Sequence, residues 1–255
     1  MRNKLCKPLM LFSIMIIPIL FSCATTQQKQ SESRDALAYS IRAEAFINKR
    51  QFDQAISDYT KAIEINPNIA ALYTNRAICF FEKGQYDQAI SDCNKALEIN
   101  PRFAFAYNER GIAYRHKGQH DQAMSDYTKA IEIDPRYATA YYNRGISYTD
   151  KGEYDQAISD YTKALEINPR YAAAYNNRGN CYLQKDQYDQ AISDSNRALE
   201  INPRLAEPYY NRGRAYYLKR EYDKSWNDIN KVQELGREIP TEFLNDLRKA
   251  SGRQN

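Results

Sequence analysis

Residues Ala138–Tyr171 read ATAYYNRGISYTDKGEYDQAISDYTKALEINPRY. Near copies of this 34-residue segment begin at Ala36, Ala70, Ala104, Ala172 and Ala206, so six copies run from residue 36 to residue 239. A fixed repeat of this period overrides any domain count drawn from the length of 255 residues. Counting slots from the first Ala of each unit, apolar or small residues recur at slots 4, 8 and 11, and in most units at 20, 24 and 27. That is helical spacing, twice per unit, and predicts two amphipathic helices. Gly84, Gly118 and Gly152 stand at slot 15, where Gly can take the left-handed backbone that ends a helix. An Asp at slot 18 in every unit places negative charge in the first turn of the second helix. Pro67, Pro101, Pro135, Pro169 and Pro203 at slot 32 lack the amide donor and separate one unit from the next.

Slot 4 is Tyr in all six units (Tyr39, Tyr73, Tyr107, Tyr141, Tyr175, Tyr209), and slot 8 is Ala43, Ala77, Gly111, Gly145, Gly179 and Gly213. Slot 20 is Ala in five units and Ser225 in the last. With the aromatic at slot 11 and Pro at slot 32, the pattern resembles the tetratricopeptide repeat (TPR). The resemblance covers residues 36–239. It implies an all-α fold, a right-handed superhelical solenoid of six TPR helix pairs: 36–69, 70–103, 104–137, 138–171, 172–205 and 206–239. The sixth unit drifts, with Val232 at slot 27 and Arg237 at slot 32, as terminal units do. Beyond it, residues 240–255 carry Phe243, Leu244 and Leu247 at helical spacing and read as a capping helix and tail, with Trp226 packed beneath.

Slot 7 is always Arg, where this family usually has Leu, and slot 23 is always Asp, from Arg42 and Asp58 in the first unit to Arg212 and Asp228 in the sixth. A repeated Arg–Asp pair between the two helices is the simplest account. An anion-binding arginine ladder is the alternative, and the aspartates would compete with any anion.

The chain begins differently. Arg2, Lys4 and Lys7 precede a largely apolar run from Leu9 to Phe21, and Leu20-Phe21-Ser22-Cys23 follows the pattern of a bacterial lipobox except at Phe21. A run of 13 residues is too short to span a membrane, which takes about 20. Residues 1–22 therefore read as a lipoprotein-type signal peptide, with Cys23 as the lipidated residue. A plain signal peptide and an uncleaved anchor are the alternatives. Residues 24–35 (ATTQQKQSESRD) have no apolar period, so 23–35 reads as a lipid-anchored disordered linker. Ala24 after Cys23 implies a membrane-anchored lipoprotein of the cell envelope, on the periplasmic side of an outer membrane where there is one.

Little else carries chemistry. Basic residues number 36 and acidic ones 32; without the three at the start the balance is 33 to 32, which offers no footprint for nucleic acid. Cys79, Cys93 and Cys181 lack metal-ligand spacing and read as buried thiols, with a Cys79–Cys93 disulfide as an alternative. His116 and His120 are the only histidines, and at i, i+4 they could meet a metal, but a surface or packing role fits better. No catalytic constellation or phosphate-binding loop is visible, so the expectation is no enzyme, no cofactor and no metal.

A partner site is sought on the first helix of each unit. Slots 2, 5, 9 and 12 form a second stripe, turned away from slots 4, 8 and 11. In TPR arrays such a stripe, with slots 33 and 34, lines the concave groove. Five of 22 tyrosines fall there, Tyr137, Tyr142, Tyr171, Tyr210 and Tyr217, together with Phe81, Phe103 and Phe105. They form either an aromatic groove or packing between units. Slot 6 beside the stripe is Asn75, Asn143, Asn177 and Asn211. An amide both donates and accepts, which suits a peptide backbone; a local structural role is the alternative. Asn180 and Arg214 add polarity at slot 9. The expected partner-binding groove is thus Asn75, Phe105, Tyr142, Asn143, Asn177, Asn180, Tyr210, Asn211, Arg214 and Tyr217. The expected function is a protein-interaction scaffold or adaptor of the bacterial cell envelope, binding a peptide or helix of partner proteins in the concave groove. The alternative is a structural subunit acting through its convex face or by self-association.

Overall fold

Each unit's two periods of apolar residues become two packed helices. The structure, a computed structural model, describes residues 23–253, which form thirteen helices and no strand. The expected signal segment 1–22 lies outside the described residues. Two groups of helices are distinguished. The first holds α1 (Cys23–Asn48), α2 (Phe52–Ile65), α3 (Ala70–Glu82), α4 (Tyr86–Ile99), α5 (Ala104–His116) and α6 (His120–Ile133). The second holds α7 (Ala138–Asp150), α8 (Tyr154–Ile167), α9 (Ala172–Gln184), α10 (Tyr188–Ile201), α11 (Ala206–Leu218), α12 (Tyr222–Glu234) and α13 (Thr241–Ser251). Within each group an odd-numbered helix pairs with the even-numbered one after it, and that one packs on the next odd helix. Odd helices also touch each other, α3 with α5, α7 with α9 and α9 with α11, so they form an inner layer. This is the expected all-α fold of consecutive TPR helix pairs.

The core is thin and built from small residues. Ala55, Ala89, Ala123, Ala157 and Ala191 at slot 20 are all within 2% of full burial. Slots 8 and 24 face each other across a helix pair. A Cβ at Gly111 would come within 2.7 Å of the Tyr127 ring, and one at Gly145 within 2.8 Å of the Tyr161 ring. Gly at slot 8 thus lets the Tyr127 and Tyr161 rings lie directly on the inner helix in those two units, whereas Tyr59 is buried in the unit that carries Ala43.

Slot 15 ends the inner helices as expected. Gly84, Gly118 and Gly152 have φ of +75° to +76°. Arg50, Asp186 and Arg220 hold the same left-handed backbone, at +56° to +62°, in the units that lack the glycine. Before the prolines, Asn100, Asp134, Asn168 and Asn202 each accept the amide two residues ahead at 2.9–3.1 Å. These Asx turns at slot 31 close the loop between units.

One expectation is corrected. Residues 24–35 are not a coil, because α1 runs unbroken from Cys23 to Asn48. Lack of an apolar period predicts lack of burial, and a helix needs only continuity. No Gly or Pro interrupts 23–48, and once Ala36–Asn48 is packed, adding turns at its start incurs no new nucleation cost.

The cap is where the sequence puts it. α13 follows α12, Leu247 is fully buried, and Trp226 Nε1 donates to Ser251 Oγ at 3.0 Å. Arg253 pairs with Asp223 at 2.8 Å and lies over the Trp226 ring. The spacing of 30 residues matches the lysine–aspartate pairs Lys83–Asp53, Lys117–Asp87, Lys185–Asp155 and Lys219–Asp189. α13 is therefore in the register of a seventh inner helix, with Phe243 at slot 4.

Candidate functional site

The part of each unit that repeats without change is junction. All six arginines at slot 7 make a two-pronged pair with the Asp at slot 23, Nε to Oδ2 and Nη2 to Oδ1, at 2.5–2.8 Å. Nη1 reaches back to slot 25 of the preceding unit: Arg76 to Thr60, Arg110 to Asn94, Arg178 to Thr162 and Arg212 to Asn196, at 2.5–2.9 Å. The slot 4 Tyr ring lies against the guanidinium in each case, 5.2–5.8 Å from its centroid. One side chain thus ties a helix pair together and ties it to its neighbour. Burial holds the carboxyls of Asp126 and Asp194 above the usual carboxylate range even with Arg110 and Arg178 against them. With the guanidinium committed to protein acceptors, the anion ladder loses its donors.

The slot 6 asparagines belong to the same junctions. Asn75, Asn143 and Asn211 are 1%, 3% and 7% exposed, too covered to meet a peptide. Slot 6 lies about 100° around the helix from slot 5, which turns it from the inner face toward the preceding unit. In the second group a chain of hydrogen bonds crosses three inner helices. Asn211 Nδ2 donates to Asn176 Oδ1 (3.0 Å), Asn176 Nδ2 to Asn177 Oδ1 (3.2 Å), and Asn177 Nδ2 to the Tyr142 hydroxyl (3.2 Å).

The aromatics of the inner stripe also pack, within units and between them. Tyr142 stacks on Tyr171 at 4.7 Å and meets Tyr161 at 5.9 Å. Phe105 is buried beside Phe103. Tyr210 and Tyr217 receive the edge of Phe243 from α13, at 5.8 and 5.4 Å, so the protein's own cap fills that end of the stripe. Phe81, Tyr86 and His116 form one ring cluster, with His116 edge-on to Phe81 at 4.8 Å.

Two of the ten expected groove residues keep a polar side chain, half-buried, with no hydrogen bond or ion pair among the described residues. Asn180 on α9 and Arg214 on α11 occupy the same slot 9 on neighbouring inner helices, and both are half-buried. Arg214 rests over the Tyr210 ring, 5.9 Å from its centroid. Beside them, Arg237 reaches Glu207 at 2.5 Å, a pair made possible by Arg in place of the usual Pro at slot 32. The other inner helices carry Glu44, Ile78, Ile112 and Ile146 at slot 9, so Asn180 and Arg214 are the two polar residues on adjacent helices of that row.

Cys79, Cys93 and Cys181 are free, buried thiols, and the Cys79–Cys93 disulfide is not formed. Burial pushes the Cys79 thiol up to about 12 and raises the other two. Among the described residues, no cluster of His, Cys, Asp and Glu is arranged to hold a metal, and no helix is long and apolar enough to cross a membrane.

The Tetratricopeptide repeat family profile matches residues 36–69, 70–103, 138–171 and 172–205, and related repeat profiles match 93–124 and 111–149. The chain is a tetratricopeptide repeat protein. Repeats of this family are interaction modules, and a TPR protein of this build has the fold of a protein–protein interaction scaffold. No curated protein matches the TPR chain. Among solved structures, Pseudomonas aeruginosa pilF is 16% identical with a TM-score of 0.75, over 88% of this chain and 100% of that one, a likeness of fold. YrrB, described as a TPR protein with an unusual peptide-binding site, is 25% identical with a TM-score of 0.59, over 76% of this chain and 98% of its own. MamA is 29% identical with a TM-score of 0.55, over 63% of this chain and 94% of its own.

Proposed function

We propose that this TPR protein holds an extended segment of a partner protein against the inner face of α9 and α11. The observation that carries this is the pair Asn180 and Arg214, side by side in the slot 9 row with their polar groups unspent. The amide chain from Asn211 to Tyr142 fixes the helices beneath them, so the pair is pre-positioned. Asn180 can both donate to and accept from a peptide backbone, and Arg214 adds a preference for a carboxylate or carbonyl of the segment. Similarity to YrrB, which has a peptide-binding site, supports the reading. The first 23 residues support a place in the cell envelope, with a lipid on Cys23.

Two experiments test these parts separately. Labelled palmitate should enter the wild type and be absent from Cys23→Ala; equal labelling would exclude Cys23 as the lipid site. Quantitative capture of envelope proteins should differ between wild type and Asn180→Ala/Arg214→Ala at equal melting temperature. The same partner set from both would remove the inner face from consideration.

A further inference from the structure

The two ends of the repeat array are left with complementary unmet groups. At each junction inside either group, slots 3 and 10 of the inner helix are buried against the preceding even-numbered helix, as Leu72 and Cys79 are against α2 and Ala174 and Cys181 against α8. α1 has no preceding unit. Its equivalents Ala38 and Ala45 are exposed, and slot 6 is Ile41, 57% exposed, where four other units carry Asn. Leu37 beside it is 37% exposed. A terminal unit that meets only solvent is expected to be polar here, and this one is more apolar than the internal junctions. The Arg42 side chain is 55% exposed, against 16–21% for its five counterparts, and its Nη1 has no acceptor among the described residues.

The missing acceptor is at the other end. Slot 25 of α12 is Asn230, which is exposed and has no hydrogen-bond partner among the described residues. α13 sits in the register of a seventh inner helix but carries Asp246 at slot 7, the place of the arginine that would reach Asn230. Asp223 on α12 is held by Arg253, while Lys49, at slot 14 just after α1, has no ion pair among the described residues.

We propose that the chain assembles head to tail with a second copy of itself, α1 of one copy taking the place of α13 on α12 of the next. Arg42 then donates to Asn230 of the neighbouring copy and Lys49 pairs with its Asp223, repeating the internal junction between molecules. Ile41, Ala38 and Ala45 are covered by α12. The contact is heterologous and leaves a free head and a free tail, so it extends into a chain of copies. α13 is the stopper that competes for the same place. This inference is independent of the inner-face reading.

Sedimentation velocity over a concentration series tests it. Phe243→Ala/Leu247→Ala, which loosens α13, should form larger species as concentration rises. Adding Ile41→Asn should return that variant to single copies. A loosened variant that stays single, or whose species ignore Ile41→Asn, overturns the proposal. A second measurement locates the contact in the same loosened background. Copies carrying Arg42→Cys and copies carrying Asn230→Cys, mixed and oxidised, should form a disulfide-linked pair with one of each. Equal yield with Lys224→Cys, on the other side of α12, or no linked pair at all, overturns it.

Discussion

At the residue scale the stability of the array rests on its arginine junctions. Arg178 and Asp194 are 16% and 6% exposed, so the pair is largely desolvated. Removing one partner leaves a buried charge, and Arg178→Leu should cost about 3 kcal/mol or more. Arg178→Leu/Asp194→Ala removes both charges and should recover most of that loss, as measured by urea unfolding. Equal losses in the single and double variants would show that packing, and not the stranded carboxylate, sets the cost. Backbone strain makes an opposite prediction. Arg220 has φ of +62° and its side chain has no partner among the described residues, so Arg220→Gly should raise stability by about 0.5–1 kcal/mol. The thiols give a third. Cys79, pushed up to about 12, and the buried Cys93 and Cys181 should resist iodoacetamide at pH 8 in the folded protein and react in urea, read by peptide mass spectrometry.

At the scale of elements, what could be read ahead of the structure follows a physical division. The helix pairs, the glycine at slot 15 and the Arg–Asp pairs were legible because each is local to one unit and repeats six times. The second task of the arginine, reaching Thr or Asn at slot 25 of the unit before, was not, because it joins residues of different units. The choice between groove and structural role for Asn75, Asn143 and Asn211, which are buried, stayed open for the same reason. A single-helix projection gives their angle and does not say that a neighbouring helix covers it. α13 carries the element-scale prediction. Phe243 fills the space between Tyr210 and Tyr217, and Phe243→Ala should cost about 2 kcal/mol. Nearest-neighbour energetics confine the effect, so faster hydrogen exchange should appear in α11–α13 and not in α1–α4.

At the scale of the whole molecule, the TPR repeats use most of their chemistry on one another. Asn75, Asn143 and Asn211 are buried, and Phe105 and Tyr142 meet residues of a neighbouring unit, so these expected groove residues serve the joints. What is left over is small and specific: a half-buried Asn180–Arg214 pair on the inner face, and the unmet Ile41, Arg42 and Asn230 at the two ends. The first is proposed to hold a partner, the second another copy. The central claim is that the inner face of α9 and α11 is where the partner is held. The most direct measurement is photo-crosslinking in cells, with a photoreactive amino acid placed at Asn180, at Arg214, or at Glu166 on the exposed side of α8. The account predicts the same partner adducts from positions 180 and 214 and none from 166. Adducts from 166 with none from 180 or 214 would contradict it and assign the partner to the outer face.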